Sequence, residues 1–470
     1  MSIRSARRPF ALPALLALVL GAGAVSATPP CYQTFKRPQR LHHAPAPEDL
    51  LRIWVVFVDQ GDGILIQLPE RFAYDPDPAD ADPARSERVE VLVDSGSFFQ
   101  SDSVRMARFL ERLYPEGSHR IEHVVVTHHD ADHVRGISAC LAIGRFGFGT
   151  VHHNGLASYL PEVLGLDPTA DAPDDLVADP RTGGVRRAMA FFDPDSELEE
   201  LREDDLVGDR DALSARLASG QLQGVYHDLA RALFEDGTGF PLSELRRAGA
   251  GGAFIEVDEG TAAAGGPELS FELLWPPERP RRFRQWSETI NGNSVTFRLR
   301  YGQFEMLFTG DHNDLSEAAL LGHLADRPDA LACDVLKVPH HGSRHNLEEF
   351  FDRASPVLGV ASMGRRGFSR SWRHPSADVV RWLGGPHRAY HTYAHERRFD
   401  LTDESDDRIA ELVERTHVLI ETDGSWFRVV EIPDGADPAQ PATVQQTRRG
   451  DGTRWIDARP AAETTCEDEP

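Results

Sequence analysis

The sequence predicts an α/β fold carrying an inserted helical region, on three observations. Short apolar runs of strand character recur along the chain, helical stretches separate them, and several runs end abruptly in Asp or His. Strand ends of that kind are where α/β proteins commonly hold their chemistry. With 470 residues, 40% of them hydrophobic and 27% charged, the chain can also bury a large core as one big domain or two ordinary ones.

The N-terminus, "MSIRSARRPFALPALLALVLGAGAVSATPPC", joins an Arg-rich start to an apolar stretch over 11–20 and to small residues ending at Ala27. This pattern predicts a secretory signal over 1–27. Its apolar run is shorter than the roughly 20 residues that span a bilayer, and no later segment is long and apolar enough to do so. The mature chain is therefore expected to be exported, periplasmic or secreted, with no stable membrane span.

A Pro-rich leader covers 28–50, and "LRIWVVFVDQGDGILIQLP" then gives two strands around the turn at 60–63. A Pro/Asp/Ala-rich loop over 74–86 precedes a third strand, "VEVLVDSGS". A helix is predicted over 103–113, followed by a strand over 121–127 that runs straight into "THHDADH". From about 160 to 252 the pattern turns to charged, Ala/Leu-rich segments, read as the helical insertion. Strands resume in "ELSFELLWPP", "NSVTFRLRYGQFEMLFTGD" and "CDVLKVPHHGS". "PSADVVRWLGG" reads as a helix, and "HVLIETDGSWFRVVEI" as a hairpin turning at Asp423-Gly424. The folded domain thus spans 51–432, and the tail over 433–470, rich in Pro, Ala, Thr and charge, is expected to be flexible.

The formal charge of −25 and a pI near 5.2 oppose a wide electrostatic grip on nucleic acid. One local exception is "RRGFSRSWR" over 365–373, which interleaves Arg with Phe368 and Trp372. It suits either a single-strand contact surface or a solvated loop with two aromatics turned inward. The four cysteines are few for a disulfide scaffold. Cys31 and Cys466 lie near the chain ends, where a pairing is conceivable, while Cys140 and Cys333 sit in the apolar contexts of buried thiols.

The densest chemistry is "VVVTHHDADHVRG". His128, Asp130 and Asp132 stand at alternate positions, so an extended segment would point them to one side, with His133 added from the turn before a helix starting near Val134. Imidazole and carboxylate donors suit zinc, manganese or iron, and the oxygen content tilts toward the harder end of that series. A pair of divalent metals would clamp a phosphoryl or carbonyl oxygen and make hydroxide available near neutral pH. The plain alternative is a solvated turn that caps the following helix. Asp311 in "MLFTGDH" and the pair His340-His341 in "LKVPHHGS" weigh against it, because other strand ends offer what the same site would need.

The order of these motifs resembles the metallo-β-lactamase superfamily, and more narrowly the hydrolase domain of the DNA-uptake protein ComEC and its stand-alone relatives. The resemblance is carried by "VVFVDQGDGILIQLP", "VLVDSGS", "VTHHDADHVRGI", "NGNSVTFRLRYGQFEMLFTGD", "VLKVPHHGSRHN" and "RHPSADVVRWL". It implies a four-layer αββα sandwich with two metals at one edge of the sheets. Carried over by residue, His128 and Asp130 would hold the first metal, Asp132 and His133 the second, Asp311 would bridge them, and His341 would complete the ligands of the second metal. His340 would face the substrate as an oxyanion or phosphate contact. Asp94 would orient a ligand, and Asp62 and His374 match positions near the site. The chain departs from the superfamily in having Asp130 where many members have a second His, which opposes a β-lactamase assignment. It also lacks an evident separate His before the bridging Asp, for which His152 and His153 are the available residues.

The resulting expectation is an exported dinuclear metallohydrolase, using zinc or manganese, that acts on a phosphodiester, with nucleic acid as one candidate substrate and Asp132 steering protons. Hydrolysis of an amide, lactam, lactone or thioester is the alternative within the same chemistry. A metal-stabilised binding module that recruits a partner through the insertion is the alternative outside it.

Overall fold

A computed structural model of the chain describes residues 46, 49–72, 88–160, 176–178, 186–188, 201–234, 242–249, 254–257, 266–284, 286–364, 374–385, 388–395, 413–438 and 456–457, all within the compact unit Arg37–Pro460. The predicted signal, most of the leader, the Arg-rich loop over 365–373, Cys31 and Cys466 lie outside the described residues.

The first half opens with the antiparallel strands β1 (Leu51–Val55), β2 (Gly63–Gln67) and β3 (Glu90–Ser95). Helix α1 (Arg105–Leu113) then leads to β4 (His119–Val126), and α2 (Ala131–Ala142) to β5 (Phe146–His153), with β3, β4 and β5 parallel. Within the span read as a helical insertion, β6 (Leu176–Ala178) and β7 (Arg186–Ala188) form a separate ribbon, followed by α3 (Arg210–Ala218) and α4 (Gly224–Phe234). The same span also supplies β8 (Glu244–Arg247), which pairs parallel to β5 at the sheet edge. Only four residues long and bounded by polar sequence, β8 left no apolar run to read.

The second half repeats the pattern. Strands β9 (Leu269–Trp275), β10 (Thr296–Tyr301) and β11 (Phe304–Phe308) are antiparallel, with α5 (Trp286–Gly292) between the first two. Then α6 (Asp314–His323), β12 (Val335–Lys337), α7 (Glu348–Ala354), β13 (Leu358–Ala361), α8 (Ala377–Trp382) and β14 (Ala389–His391) alternate, so that β11 to β14 run parallel. The chain returns to the first sheet through β15 (Tyr393–His395), β16 (Val413–Thr422), β17 (Trp426–Pro433) and β18 (Ile456–Asp457), with β16 against β1. The expected hairpin at Asp423-Gly424 joins β16 to β17.

Two sheets result, ordered β18-β17-β16-β1-β2-β3-β4-β5-β8 and β14-β13-β12-β11-β10-β9. Alternate residues explain why their strands read as unbroken apolar runs. In β1, Leu51, Ile53 and Val55 pack with Phe304, Met306 and Phe308 of β11 in the cluster between the sheets, whereas Trp54 faces Phe109 of α1 and the outer helices. On the far side Leu307 and Leu336 pack under Leu320, Phe350 and Val379 of α6, α7 and α8. Helices, sheet, sheet and helices make four layers with apolar surface buried at three interfaces, which is the αββα sandwich expected. Helices α3 and α4 join α1 and α2 in one outer layer through Leu213, Tyr226 and Leu229. Cys140 and Cys333 are buried thiols as read.

A strand covered on both faces exposes only its ends, and the carboxyl ends of the parallel strands in both halves gather along one edge. That edge collects the residues picked out by motif.

Candidate metal centre

Five segments meet there: the β1–β2 turn with Asp62, the end of β3 with Asp94, the β4–α2 junction, the segment after β11 with Asp311, and the turn after β12 with His340 and His341. Three of these residues hold left-handed backbone, with φ of 52° at Asp94, 47° at His340 and 55° at His341. Such conformations are uncommon for side chains with a Cβ and persist where surroundings enforce them. Gly61 and Gly96 allow the close approach: a Cβ on either would stand 2.3 Å from backbone of Asp132.

The His/Asp motif after β4 is not extended throughout. Helix α2 begins at Ala131 rather than near Val134, so Asp132 and His133 sit in its first turn. Asp130 occupies the N-cap, extended at φ −70° and ψ 155°, yet its side chain makes no capping bond. The helix therefore starts earlier than the apolar pattern suggested, and the carboxylate that would ordinarily cap it is left to the site.

Hydrogen-bond bookkeeping fixes the three innermost imidazoles. His133 Nδ1 lies 2.8 Å from Asp94 Oδ2, and since a carboxylate only accepts, Nδ1 carries the proton. His341 Nδ1 donates to the Ser362 carbonyl at 2.7 Å. His128 Nδ1 meets two hydroxyls, Thr127 Oγ1 at 3.1 Å and Ser294 Oγ at 3.3 Å. Both have already given their protons away, to Asp94 Oδ2 at 2.6 Å and to the Asn291 carbonyl at 2.7 Å. His128 Nδ1 must therefore donate as well.

All three rings consequently turn Nε2 toward one place, and none of these buried Nε2 atoms has a hydrogen-bond partner. What they face is carboxylate oxygen. His133 Nε2 and His341 Nε2 each lie 3.3 Å from Asp311 Oδ2, His341 Nε2 is 3.8 Å from Asp132 Oδ2, and His128 Nε2 is 4.0 Å from Asp130 Oδ2. Donor atoms of His128, His133 and Asp311 fall within 4.8 Å of one another, as do those of Asp132, His133 and His341, and of Asp62, Asp311 and His341. Of the adjacent histidines, His341 is the inner one; His340 Nε2 stands 4.0 Å from Asp311 Oδ2 with its side chain 19% exposed. His374 packs against both rings, at centroid distances of 6.0 and 6.3 Å.

The electrostatics point the same way. Burial alone would push His133 and His341 down, but the carboxylates of Asp311 with Asp94, and of Asp311 with Asp62, hold them well above the usual imidazole range. Burial, with His133 alongside, holds His128 well below it. Asp311 is kept well below the carboxylate range by His341 and His133 against the effect of burial. Carboxylates this dense call for positive charge, which protons supply until a cation displaces them. The residues present fit divalent metal ions: oriented imidazoles, carboxylates between them, and a second ring nitrogen of each histidine held by protein.

His152 and His153 do not join the cluster. His152 Nε2 meets His123 Nδ1 at 3.3 Å and packs on Phe254, while His153 Nδ1 accepts from the backbone of Gly155. Motif reading missed Lys337, Thr127, Asn291 and Ser294. Lys337 is 1% exposed in β12 and pairs with Asp62 Oδ2 at 2.8 Å, holding that carboxyl below its usual range against burial. A lysine inside the apolar run "VLKVP" was the available signal, since buried lysines are rare unless paired.

No protein-family model matches the chain. A stretch of 112 residues is 31% identical to the competence protein ComA of Neisseria gonorrhoeae, covering 24% of this chain and 14% of that protein. The match thus spans a small part of the relative's length. Solved structures similar to the chain include a subclass B3 metallo-β-lactamase isolated from a soil metagenome library, at 11% identity, 65% of this chain, 81% of that chain and a TM-score of 0.25. Another is a metallo-β-lactamase from Novosphingobium pentaromativorans, at 13% identity, 64% and 77% coverage and a TM-score of 0.23. Among the described residues no helix is long and apolar enough to cross a membrane. With four αββα layers, strand-end motifs in the expected order and a sequence match to a competence protein, the chain resembles the hydrolases of the metallo-β-lactamase superfamily.

Proposed function

We propose that the protein is an exported, metal-dependent hydrolase that cleaves a phosphodiester using two divalent ions, zinc or manganese. The observation that carries the reading is the set of imidazole Nε2 atoms directed at carboxylate oxygens 3.3 Å away, a buried cluster whose protons a cation would displace. His128 and Asp130 would hold the first ion, Asp132, His133 and His341 the second, with Asp311 between them. Bound there, the ions would supply Lewis acidity and a nucleophile available near neutral pH.

The chain's own side chains do the rest. Asp94, the Ser362 carbonyl and the Thr127 and Ser294 hydroxyls keep the imidazole Nε2 atoms aimed inward. His340, outermost of the group, donates to a non-bridging phosphate oxygen, and Asp132, with its side chain 20% exposed, passes a proton at the solvent side. The carboxylate-rich donor set and the similarity to a competence protein favour a phosphodiester over a lactam. The charge of −25 favours a small or envelope-derived ester, or a nucleic acid end, over broad duplex binding.

The test is metal content together with hydrolysis of bis-p-nitrophenyl phosphate by the chain without residues 1–27, alongside Asp311→Ala and His128→Ala. About two equivalents of metal and a turnover lost in both variants are expected. Bound metal with turnover only on amide, lactone or thioester substrates would replace the phosphodiester reading, and a protein that binds no metal would end it.

A further inference from the structure

The first ion of the proposed pair has a thinner set of ligands than the second, because among the described residues no separate histidine joins His128, Asp130 and Asp311. What does converge on these three residues is one turn, Asn291 to Ser294, formed by the last residues of α5 and the link to β10. Ser294 Oγ accepts the Asp311 backbone N–H at 3.0 Å and faces His128 Nδ1 at 3.3 Å, while its proton goes to the Asn291 carbonyl at 2.7 Å. With its amide nitrogen turned toward Asp130, Asn291 donates to Asp130 Oδ2 and to the Ser287 carbonyl, both at 3.2 Å.

The direction of each bond matters. Since the Ser294 proton is committed to the turn's own backbone, the hydroxyl can only accept from His128, and this fixes the tautomer whose Nε2 lone pair faces the site. Thr127 Oγ1 makes the same demand from the other side. The turn reaches the site because position 310 is glycine, where a Cβ would stand 2.7 Å from that of Ser294. Ser294 and Asn293 are fully buried and Asn291 nearly so. Asn293 holds the turn rigid by donating to the Arg281 and Thr289 carbonyls, at 2.7 Å each.

We infer that the Asn291–Ser294 turn is the positioning device of the first metal site, with Ser294 setting the His128 tautomer and the seat of Asp311, and Asn291 setting the orientation of Asp130. It stands in, from outside, for a separate histidine that the described residues do not supply. The inference rests on the metallohydrolase reading, but it concerns the affinity difference between the two sites and does not depend on the substrate.

The experiment is stepwise titration of metal-free protein with zinc against a chromophoric chelator, on the parent, Ser294→Ala, Asn291→Ala and Asp130→Ala with and without Asn291→Ala, with thermal unfolding of each metal-free protein. Ser294→Ala and Asn291→Ala should each weaken the first site about 10- to 100-fold, as loss of an outer hydrogen bond to a ligand does; Asn291→Ala should leave the second unchanged, and Ser294→Ala should weaken it less than the first, through Asp311. Asn291→Ala should add nothing once Asp130 is gone. Parent-like affinities in both variants, equal weakening of both sites, or an undiminished effect of Asn291→Ala without Asp130 would overturn the inference. Asn291→Ala alone decides the matter if Ser294→Ala does not fold. A parent protein that takes up no zinc would overturn the metallohydrolase reading itself, which parent-like variants would leave standing.

Discussion

At the scale of single residues, the site is governed by who donates and who accepts. Asp94 accepts from the Thr127 backbone at 2.8 Å, from the Thr127 hydroxyl at 2.6 Å and from His133 Nδ1 at 2.8 Å. Asp94→Asn keeps the shape but puts N–H groups where acceptors are needed, so His133 would shift its proton to Nε2 and turn a donor toward the ion. Changing a carboxylate to its amide beside a working imidazole has this effect in hydrolytic triads. The expected outcome is second-site zinc affinity reduced about 10- to 100-fold, with near-parent stability, read by chelator competition. Lys337 presents the complementary case. Its ammonium is buried against Asp62, and removing one partner of a buried pair strands the other charge. Lys337→Met should cost about 3–5 kcal/mol in urea unfolding of the metal-free protein, and combining it with Asp62→Asn should recover much of that loss; a change below 1 kcal/mol in the single variant would mean that Asp62 is not ionised there.

At the scale of elements, two helices that begin at the site start in opposite ways. Helix α6, directly after Asp311, has a full capping box: Asn313 accepts from Ser316 N while Ser316 Oγ accepts from Asn313 N. Helix α2 starts at Asp130 with no side-chain cap. Asn313→Ala should thus destabilise the metal-free protein by about 1 kcal/mol, and Asp130→Ala should leave it no less stable while weakening the first metal, as thermal unfolding with and without zinc would read. A stability loss in Asp130→Ala matching that in Asn313→Ala would mean that the carboxylate serves the helix after all. The same contrast marks what was legible in sequence. Strands covered on both faces announce themselves as apolar runs, and Asp or His at their ends picked out His128, Asp130, Asp132, His133, Asp311 and His341, which the fold brings to one edge. The start of α2 was misplaced because its first turn, Ala131 to His133, carries no large apolar residue before Val134. Thr127, Asn291 and Ser294 were invisible because hydroxyls and amides are common in turns, and only the folded chain shows where their protons go. β8 escaped because an edge strand of four residues has no core face of its own to pattern.

At the scale of the whole molecule, candidate ligands come from both sheets: His128, Asp130, Asp132 and His133 from the first, Asp311 and His341 from the second. A cation there would tie the halves together, so its release has to be separated from any other pH-dependent change in stability. One such change is expected on the far side of the first sheet. Glu122 in β4 accepts the Glu90 backbone N–H at 3.0 Å, and burial, with the Glu90 carboxylate nearby, lifts its pKa from 4.5 to about 7. In the unfolded chain the carboxyl takes its ordinary value, so between pH 4.5 and about 7 the folded state holds the proton that the unfolded state has released. This group therefore contributes stability below pH 4.5 that is lost as pH rises through about 7, where folding carries a buried negative charge. Glu122→Gln keeps the acceptor for Glu90 and removes the charge. It should raise the unfolding temperature by about 1–2 °C at pH 8 and leave it unchanged at pH 4, measured in chelator so that the metal site does not contribute. An equal gain at both pH values would assign the effect to packing and not to the proton. A loss at pH 8 would mean that the carboxylate is stabilised when ionised.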